Sequence, residues 1–243
     1  MIYTTFAQLY DQLFDSEMYE NWLKYFQNFK FNKESNVLDL ACGSGRFTVQ
    51  LLEKGYRVEG FDLSEEMLSI ADYHARNKGL ALNLIQGNML DLSELEKYDV
   101  ITCFADSLCY LENIQQIEEV FKQVYEHLLD NGVFLFDVIS PFKTDIVYPG
   151  YMYNYVDDEQ IFVWTSYEGN QEHSVEHDLT FLIKNEAGTY NRLSELHHER
   201  TYPIEKYQAA LKKAGFKNVT VTSDFGNKEA QKNDERWFFE CRK

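Results

Sequence analysis

Residues 37–48 read VLDLACGSGRFT, and this stretch decides the fold. Val37 to Ala41 is an apolar strand, Gly43 and Gly45 make a Gly-x-Gly turn, and a helix follows from about Arg46 to Glu53, with Gly55 just past its end. Glycine suits such a turn because the backbone must reverse sharply and approach a ligand with no Cβ in the way. Nicotinamide dinucleotides use a similar turn, so the pattern by itself does not choose the ligand.

Outward from this unit, strands and helices alternate. Val58 to Phe61 is a second strand, and Ser64 caps a helix whose first turn carries Glu65 and Glu66, favourable at the positive end of a helix dipole. The inner face of that helix reads Met67, Ile70, Ala71, His74 and Ala75, and Gly79 ends it. Leu82 to Gln86 and Asp99 to Phe104 are further strands. Ile114, Ile117, Phe121, Val124 and Leu128 mark a helix by their spacing. A turn at Asp130-Asn131-Gly132 leads into Val133 to Ile139, an almost wholly apolar strand of the kind covered on both faces. Upstream, the aromatic stripe from Tyr3 through Phe6, Tyr10, Phe14, Tyr19, Trp22 and Phe26 to Phe29 predicts amphipathic helices over residues 1–30.

The rhythm breaks at residues 142–201, which read as two hairpins turning at Asp157-Asp158 and at Asn185 to Gly188. Val175, His177, Leu179, Phe181 and Ile183 share one face of a strand there. A helix from Pro203 through Lys213, stopped by Gly215, and strands at Val219–Val221 and Arg236–Cys241 then restore the first pattern. The expected architecture is α/β: a Rossmann-like, doubly wound, seven-stranded sheet whose last strand is antiparallel, with an inserted antiparallel β lid. Residues 1–141 and 202–243 form the main domain, with 1–30 as a helical cap, and 142–201 form the lid at the carboxyl edge where ligands bind.

Composition narrows the class of protein. An apolar share of 44% and an aromatic share of 16% exclude a disordered chain. No stretch approaches the roughly 20 apolar residues that span a bilayer, and the acidic N-terminus lacks a secretory pattern, so a cytoplasmic protein is expected. Cys42, Cys103, Cys109 and Cys241 have no C-x-x-C spacing and read as reduced thiols, with no metal site. A formal charge of −17, with no basic run longer than two residues, makes nucleic acid a poor partner.

Charge also separates the ligands open to the glycine turn. A pyrophosphate wants bare helix-terminal N–H groups, but Asp39 stands just upstream and Thr48 replaces the third fingerprint glycine. An acid at 39 better matches a ligand bearing an ammonium and a sulfonium against one carboxylate, as S-adenosylmethionine does. Asp62, ending the second strand, can accept both hydroxyls of a ribose. Gly87-Asn88-Met89, after the third, offers an amide to an adenine edge and an apolar wall.

With these three features in order, the chain resembles the class I S-adenosylmethionine-dependent methyltransferases over residues 37–139, and by pattern over 203–241. The resemblance implies that Ala41, Gly43 and Gly45 line the methionine part of the cofactor, with Asp39 beside them. It places Asp62 on the ribose, and Leu63, Met67, Asn88 and Met89 around the adenine. Phe104 and Ala105, ending strand four, would lie near the departing methyl, and Tyr10 would close over the methionine carboxylate. Architecturally the helical cap and β insertion resemble small-molecule N-methyltransferases acting on glycine or amino sugars.

The acceptor is expected to be a small molecule methylated on nitrogen or oxygen. A protein or RNA acceptor, or a non-catalytic S-adenosylmethionine-binding module, are the alternatives. No residue declares itself catalytic, because in-line displacement at a sulfonium needs alignment and desolvation more than covalent help. Asp106, Tyr110 and one of His197 and His198 are candidates. Adjacent strand residues point to opposite faces, so at most one of the two histidines reaches the site easily. Tyr153 and Trp164 could join Tyr110 in an aromatic wall for a cationic acceptor.

Overall fold

In the computed structural model the described residues are 7, 9, 11 and 16–243. Five parallel strands alternate with helices from residue 36 onward: β1 (Asn36–Leu40), β2 (Arg57–Asp62), β3 (Asn83–Gln86), β4 (Tyr98–Cys103) and β5 (Leu128–Ile139). After α1 (Ser16–Asn28) come α2 (Arg46–Glu53), α3 (Glu65–Asn77) and α4 (Ile114–His127), which connect the strands. The spatial order β3-β2-β1-β4-β5 reverses direction between β1 and β4, the switch point at which open α/β sheets bind ligands.

Three later strands complete the sheet: β10 (Asn218–Ser223), the two-residue β11 (Lys228–Glu229) and β12 (Arg236–Arg242). The last strand, β12, inserts antiparallel between β5 and β10, pairing Trp237 with Val138 and Phe239 with Phe136. The expected seven strands are therefore present, with the antiparallel one last in the chain, and β11 adds a short eighth at the edge.

Both faces are covered, as the apolar β5 requires. One core gathers Ile117, Phe121 and Val124 of α4 with Tyr207 and Leu211 of α5 (Ile204–Ala214) over Phe134 and Phe136. The other sets Trp22 and Phe26 of α1 and Phe47 and Leu51 of α2 against Val37, Val100 and Leu135. The expected spans of the helices after residue 45 hold within a residue or two, and Ser16–Asn28 is helical within the expected cap over 1–30, of which Tyr3, Phe6 and Phe14 lie outside the described residues. In α3, however, Leu68 takes the buried place read for Met67, which is only half-buried, while Ser64 caps the helix by accepting the Met67 N–H at 3.2 Å. Asp130-Asn131-Gly132 does not separate a turn from a strand. β5 begins at Leu128, and its register against β4 shifts between Tyr98 and Val100, with Asn131 left-handed at φ 66°. The turn residues are absorbed as an irregularity of one long strand.

The insertion is a separate antiparallel sheet in the order β6-β7-β8-β9: β6 (Met152–Val156), β7 (Gln160–Glu168), β8 (Ser174–Lys184) and β9 (Tyr190–Arg200). The alternation read on β8 is the one observed, with Val175, His177, Leu179 and Phe181 buried. Phe162, Leu179 and Phe181 form a small core of their own, joined by Leu9 from the N-terminal segment.

Candidate active site

The glycine turn is built by backbone strain that the sequence permits. Ala41, Gly43 and Gly45 all have positive φ, at 60°, 54° and 71°. Gly45 starts α2 and lies against α3, where a Cβ would come within 2.6 Å of the Ala71 Cβ. At Gly43 a Cβ would meet nothing within 4 Å, so the turn borders open space. The Gly43 N–H donates to Asp62 Oδ2 at 2.7 Å and the Ser64 N–H donates to Oδ1 at 2.9 Å. Asp62 thus ties the end of β2 to the turn after β1. Burial raises its pKa against the opposing pull of those two N–H groups.

Asp39 is buried, and both its oxygens are engaged. Thr48 donates to Oδ2 at 2.5 Å and Thr102 donates to Oδ1 at 2.9 Å. Burial pushes its pKa up to about 6 despite the two hydroxyls. The acid before the turn and the residue replacing the third fingerprint glycine are therefore bonded to each other. Asp39 contributes to the turn through its field and through holding α2, not through a bare carboxylate.

Leu63 is 68% exposed, and Asn88 is exposed with its Oδ1 taken by the Leu90 N–H at 3.0 Å, which leaves an amide NH2 as donor. Met89 packs half-buried on the main core. These positions suit an adenosine. A large apolar side chain waits uncovered beside a carboxylate at the strand end, and space opens in front of Gly43. The ring of Phe104 turns inward, edge-on to Phe47 at 5.1 Å and parallel to Trp22 at 6.2 Å, while Ala105 and Asp106 continue past the strand end with left-handed φ of 58° and 52°. Tyr10 lies outside the described residues.

Its neighbour Asp11 is bonded to the glycine turn and the helices beside it. It accepts Ser44 Oγ at 2.5 Å and Arg46 Nε at 2.6 Å, and lies 3.2 Å from His74 Nε2. Burial alone would raise its pKa, but hydrogen bonds from His74, Arg46 and Ser44 hold it well below the usual carboxylate range.

Between the end of β4 and the lid lies a cavity of about 290 Å³. Its floor is an ionic cluster absent from the sequence reading. Arg236 Nη1 and Nη2 donate to Asp106 Oδ1 and Oδ2, both at 3.1 Å, and Nη1 donates also to Asp137 Oδ2 at 2.6 Å. Asp137 is fully buried in β5 and further accepts the Trp22 indole N–H at 3.1 Å and the Asp106 N–H at 3.2 Å. Its roof is aromatic, with Tyr151, Tyr153 and Trp164 from the lid and Tyr110 from the turn after β4.

Two groups bordering the cavity, Glu199 and His177, carry buried polar atoms, Oε2 and Nε2, that meet no partner at hydrogen-bond geometry, with the Tyr110 hydroxyl beside Glu199. The Trp164 indole N–H, which can only donate, reaches His177 Nδ1 at 3.1 Å. Nδ1 must therefore be an acceptor, and the proton of the neutral ring sits on Nε2, 3.7 Å from Glu199 Oε1. Burial lowers the His177 pKa to about 4 and raises that of Glu199 to about 8.

The two candidate histidines divide as the strand alternation requires. His197 borders the cavity, 3.2 Å from the Tyr110 hydroxyl, while His198 is exposed on the other face, 3.4 Å from Glu176. As a residue of the cavity His198 is thus displaced by its neighbour Glu199, which shares the face of His197. The sequence signal for this was the i, i+2 spacing. For Asp137 it was a lone acid inside FLFDVI, a strand otherwise apolar, where a buried charge demands a partner. Arg236 offered no such signal.

A doubly wound sheet in this order, with a glycine turn after β1, an acid closing β2 and the antiparallel β12 set between β5 and β10, is the fold of the class I methyltransferases. A methyltransferase-domain family matches residues 37–132. YqeM, a methyltransferase-family protein of Bacillus subtilis strain 168, is 37% identical over 100% of this chain and 98% of its own length. An S-adenosylmethionine-dependent methyltransferase from Clostridium acetobutylicum superposes with a TM-score of 0.85 at 31% identity, covering 100% of this chain and 99% of that one. The sugar N-methyltransferase KedS8 of a Streptoalloteichus species shares the fold at a TM-score of 0.77 and 20% identity, over 98% of this chain and 93% of that one. The chain belongs to the class I S-adenosylmethionine-dependent methyltransferases.

Proposed function

We propose that this enzyme transfers a methyl group from S-adenosylmethionine to the nitrogen or oxygen of a small molecule bound between β4 and the lid. The observation that carries the reading is the 290 Å³ cavity, which starts at Ala105 and Asp106, one strand over from the glycine turn, and is roofed by residues 142–201. A space of that size suits a small acceptor. The charge of −17 disfavours RNA. A sugar N-methyltransferase of the same fold, KedS8, accords with a small acceptor.

Asp62 would hold the ribose, with Leu63, Met67, Asn88 and Met89 around the adenine. Ala41, Gly43 and Gly45 would face the methionine moiety under the field of Asp39. When bound, the cofactor supplies an electrophilic methyl on a sulfonium. The chain's own work is to align an acceptor, strip water from it and hold the strand ends fixed. Residues 1–141 and 202–243 bind the cofactor, with 142–201 as the lid. The free cysteines suit a reducing compartment, the cytoplasm. No described helix is long and apolar enough to cross a membrane.

Calorimetric titration with S-adenosylmethionine, S-adenosylhomocysteine and NADH tests the cofactor, and release of S-adenosylhomocysteine with added amines and alcohols tests transfer. Binding of the adenosyl ligands without turnover on any small acceptor, but with turnover on protein or RNA, would overturn the small-molecule reading. Binding without any turnover would favour a sensor.

A further inference from the structure

The cavity's electrostatics favour one chemical class of acceptor, given the reading of that cavity as the acceptor site. Among the described residues lining it, Arg236 is the only arginine or lysine, and its guanidinium is held by Asp106 and Asp137. A carboxylate or phosphate entering would find no cation to spare. An ammonium would meet tyrosine and tryptophan faces and two carboxyl groups, of which Asp106 is held by Arg236 and Glu199, only 7% exposed, is not.

We propose that Glu199 is the group that takes a proton from the methyl acceptor, and that the acceptor is a small amine arriving as its ammonium ion. The geometry isolates this residue for the task. His177 cannot serve, because the Trp164 N–H occupies Nδ1 and the proton already sits on Nε2. Asp106 and Asp137 are committed to Arg236. The groups facing Glu199 are His177 from β8, Tyr110 and Cys109 from the turn after β4, and Asp106 and Arg236 on the floor. Burial keeps its carboxyl neutral in the empty site, and the neighbouring Asp106 adds to this while Tyr110 and Arg236 oppose it. An entering ammonium reverses the balance, so Glu199 ionises as the ligand binds.

The ionised carboxylate then takes one N–H proton. That bond's electron pair stays on nitrogen and forms the new N–CH3 bond, while the S–CH3 pair stays on sulfur. The sulfonium's charge ends on the methylated ammonium, and the ammonium's original charge is neutralised at Glu199. Glu199 also borders a second groove, of about 520 Å³, on the side of Cys109, Glu176 and His198. The proton thus has a route to solvent that avoids the occupied cavity.

The test uses the full chain and matched probes: tyramine and 4-hydroxyphenylethanol, benzylamine and benzyl alcohol, glucosamine and glucose. With S-adenosylhomocysteine bound, calorimetry at pH 7 in buffers of different ionisation enthalpy should find one proton released per amine bound by the wild type, and none on binding to Glu199→Gln. With S-adenosylmethionine, Glu199→Gln should lower kcat/KM for amines about 100-fold at pH 7, within the range for a lost general base. That deficit should shrink about tenfold per unit as pH rises towards the amine's own pKa, because solution then supplies the free base. S-adenosylhomocysteine affinity should stay within about twofold of wild type, since nothing that holds the cofactor has changed. A pH-independent deficit, amine binding by the wild type without proton release, or amines inert while the alcohols react would each overturn the proposal. Failure of the wild type to bind S-adenosylhomocysteine would instead remove the cofactor site beneath it, an outcome read before any acceptor is added.

Discussion

Arg236→Met tests the ionic floor of the cavity. Arg236 makes three hydrogen bonds to two carboxylates, and its side chain is 17% exposed, against 15% for Asp106 and 0% for Asp137. Methionine removes the one cation paired with them among the described residues. Asp137 would keep the N–H groups of Trp22 and Asp106, at 3.1 and 3.2 Å, but no counter-charge. Breaking a buried pair in this way costs about 3–5 kcal/mol, offset by about 1 kcal/mol from the extra apolar burial of methionine. A net loss of roughly 2–4 kcal/mol at pH 7 is expected. The deficit should also depend on pH with a defined sign. Burial already raises the pKa of Asp137 and Arg236 opposes this, so without the arginine the folded-state pKa rises further above its unfolded value. Stability is lost as pH rises through such a pKa, so the variant recovers relative to wild type on acidification, by up to about 1.4 kcal/mol per unit. Urea unfolding followed by circular dichroism and tryptophan fluorescence at pH 7 and pH 5.5 measures both effects, provided the two probes agree. Arg236→Met combined with Asp137→Asn should be more stable than the two single losses predict, by about 1–3 kcal/mol. A single variant within about 1 kcal/mol of wild type at pH 7, or one whose deficit grows on acidification, would refute the reasoning.

Three further outcomes follow from single contacts. Asp62→Ala frees the N–H groups of Gly43 and Ser64 as well as any ribose, and should weaken S-adenosylhomocysteine binding by about 1–3 kcal/mol in calorimetry; unchanged affinity would remove Asp62 from the ribose. Gly45→Ala puts a Cβ 2.6 Å from that of Ala71 at a left-handed φ of 71°, and thermal melts should report a loss of about 2–4 kcal/mol from overpacking and backbone strain together; a melt matching wild type would mean the turn relaxes freely. His177 is held neutral with its pKa near 4, so its folded pKa lies below the unfolded one. Its contribution is complete above about pH 6.5 and fades as pH falls towards 4, by at most about 3 kcal/mol. His177→Gln should flatten the stability profile in that window, and an unaltered slope would show that the ring titrates normally.

Much of the fold was legible because the elements announce themselves in composition. β5 shows six apolar residues among the seven from Val133 to Ile139, and a strand this apolar needs cover on both faces. Gly55, Gly79 and Gly215 stop helices where expected, and Ser64 caps α3 as its side chain allows. The failure at Asp130-Asn131-Gly132 has a physical cause. Those residues encode a local reversal, but Leu128 pairs with Tyr98 before them and Val133 pairs with Val100 after them. The sheet absorbs the irregularity as extra length, and only the pairing partner, distant in sequence, reveals it. His177 was likewise placed on the correct face of β8, where periodicity speaks to burial and is silent on the tautomer that Trp164 imposes.

The site divides along the same line. The cofactor end is local: a turn, the helix after it and two strand ends lie within about fifty residues, so spacing suffices to read them. The cavity proposed for the acceptor is assembled from remote pieces. Asp106 meets Arg236 across 130 positions and Trp22 meets Asp137 across 115, with Glu199 and His177 supplied by the lid. The two ends are joined by the N-terminal segment. Leu9 packs into the lid core with Phe162, Leu179 and Phe181, and two residues on, Asp11 bonds Ser44 and Arg46 of the glycine turn. Leu9 and Asp11 thus place neighbouring positions of the chain against the two units that flank the cavity, contacts that no spacing within either unit announces.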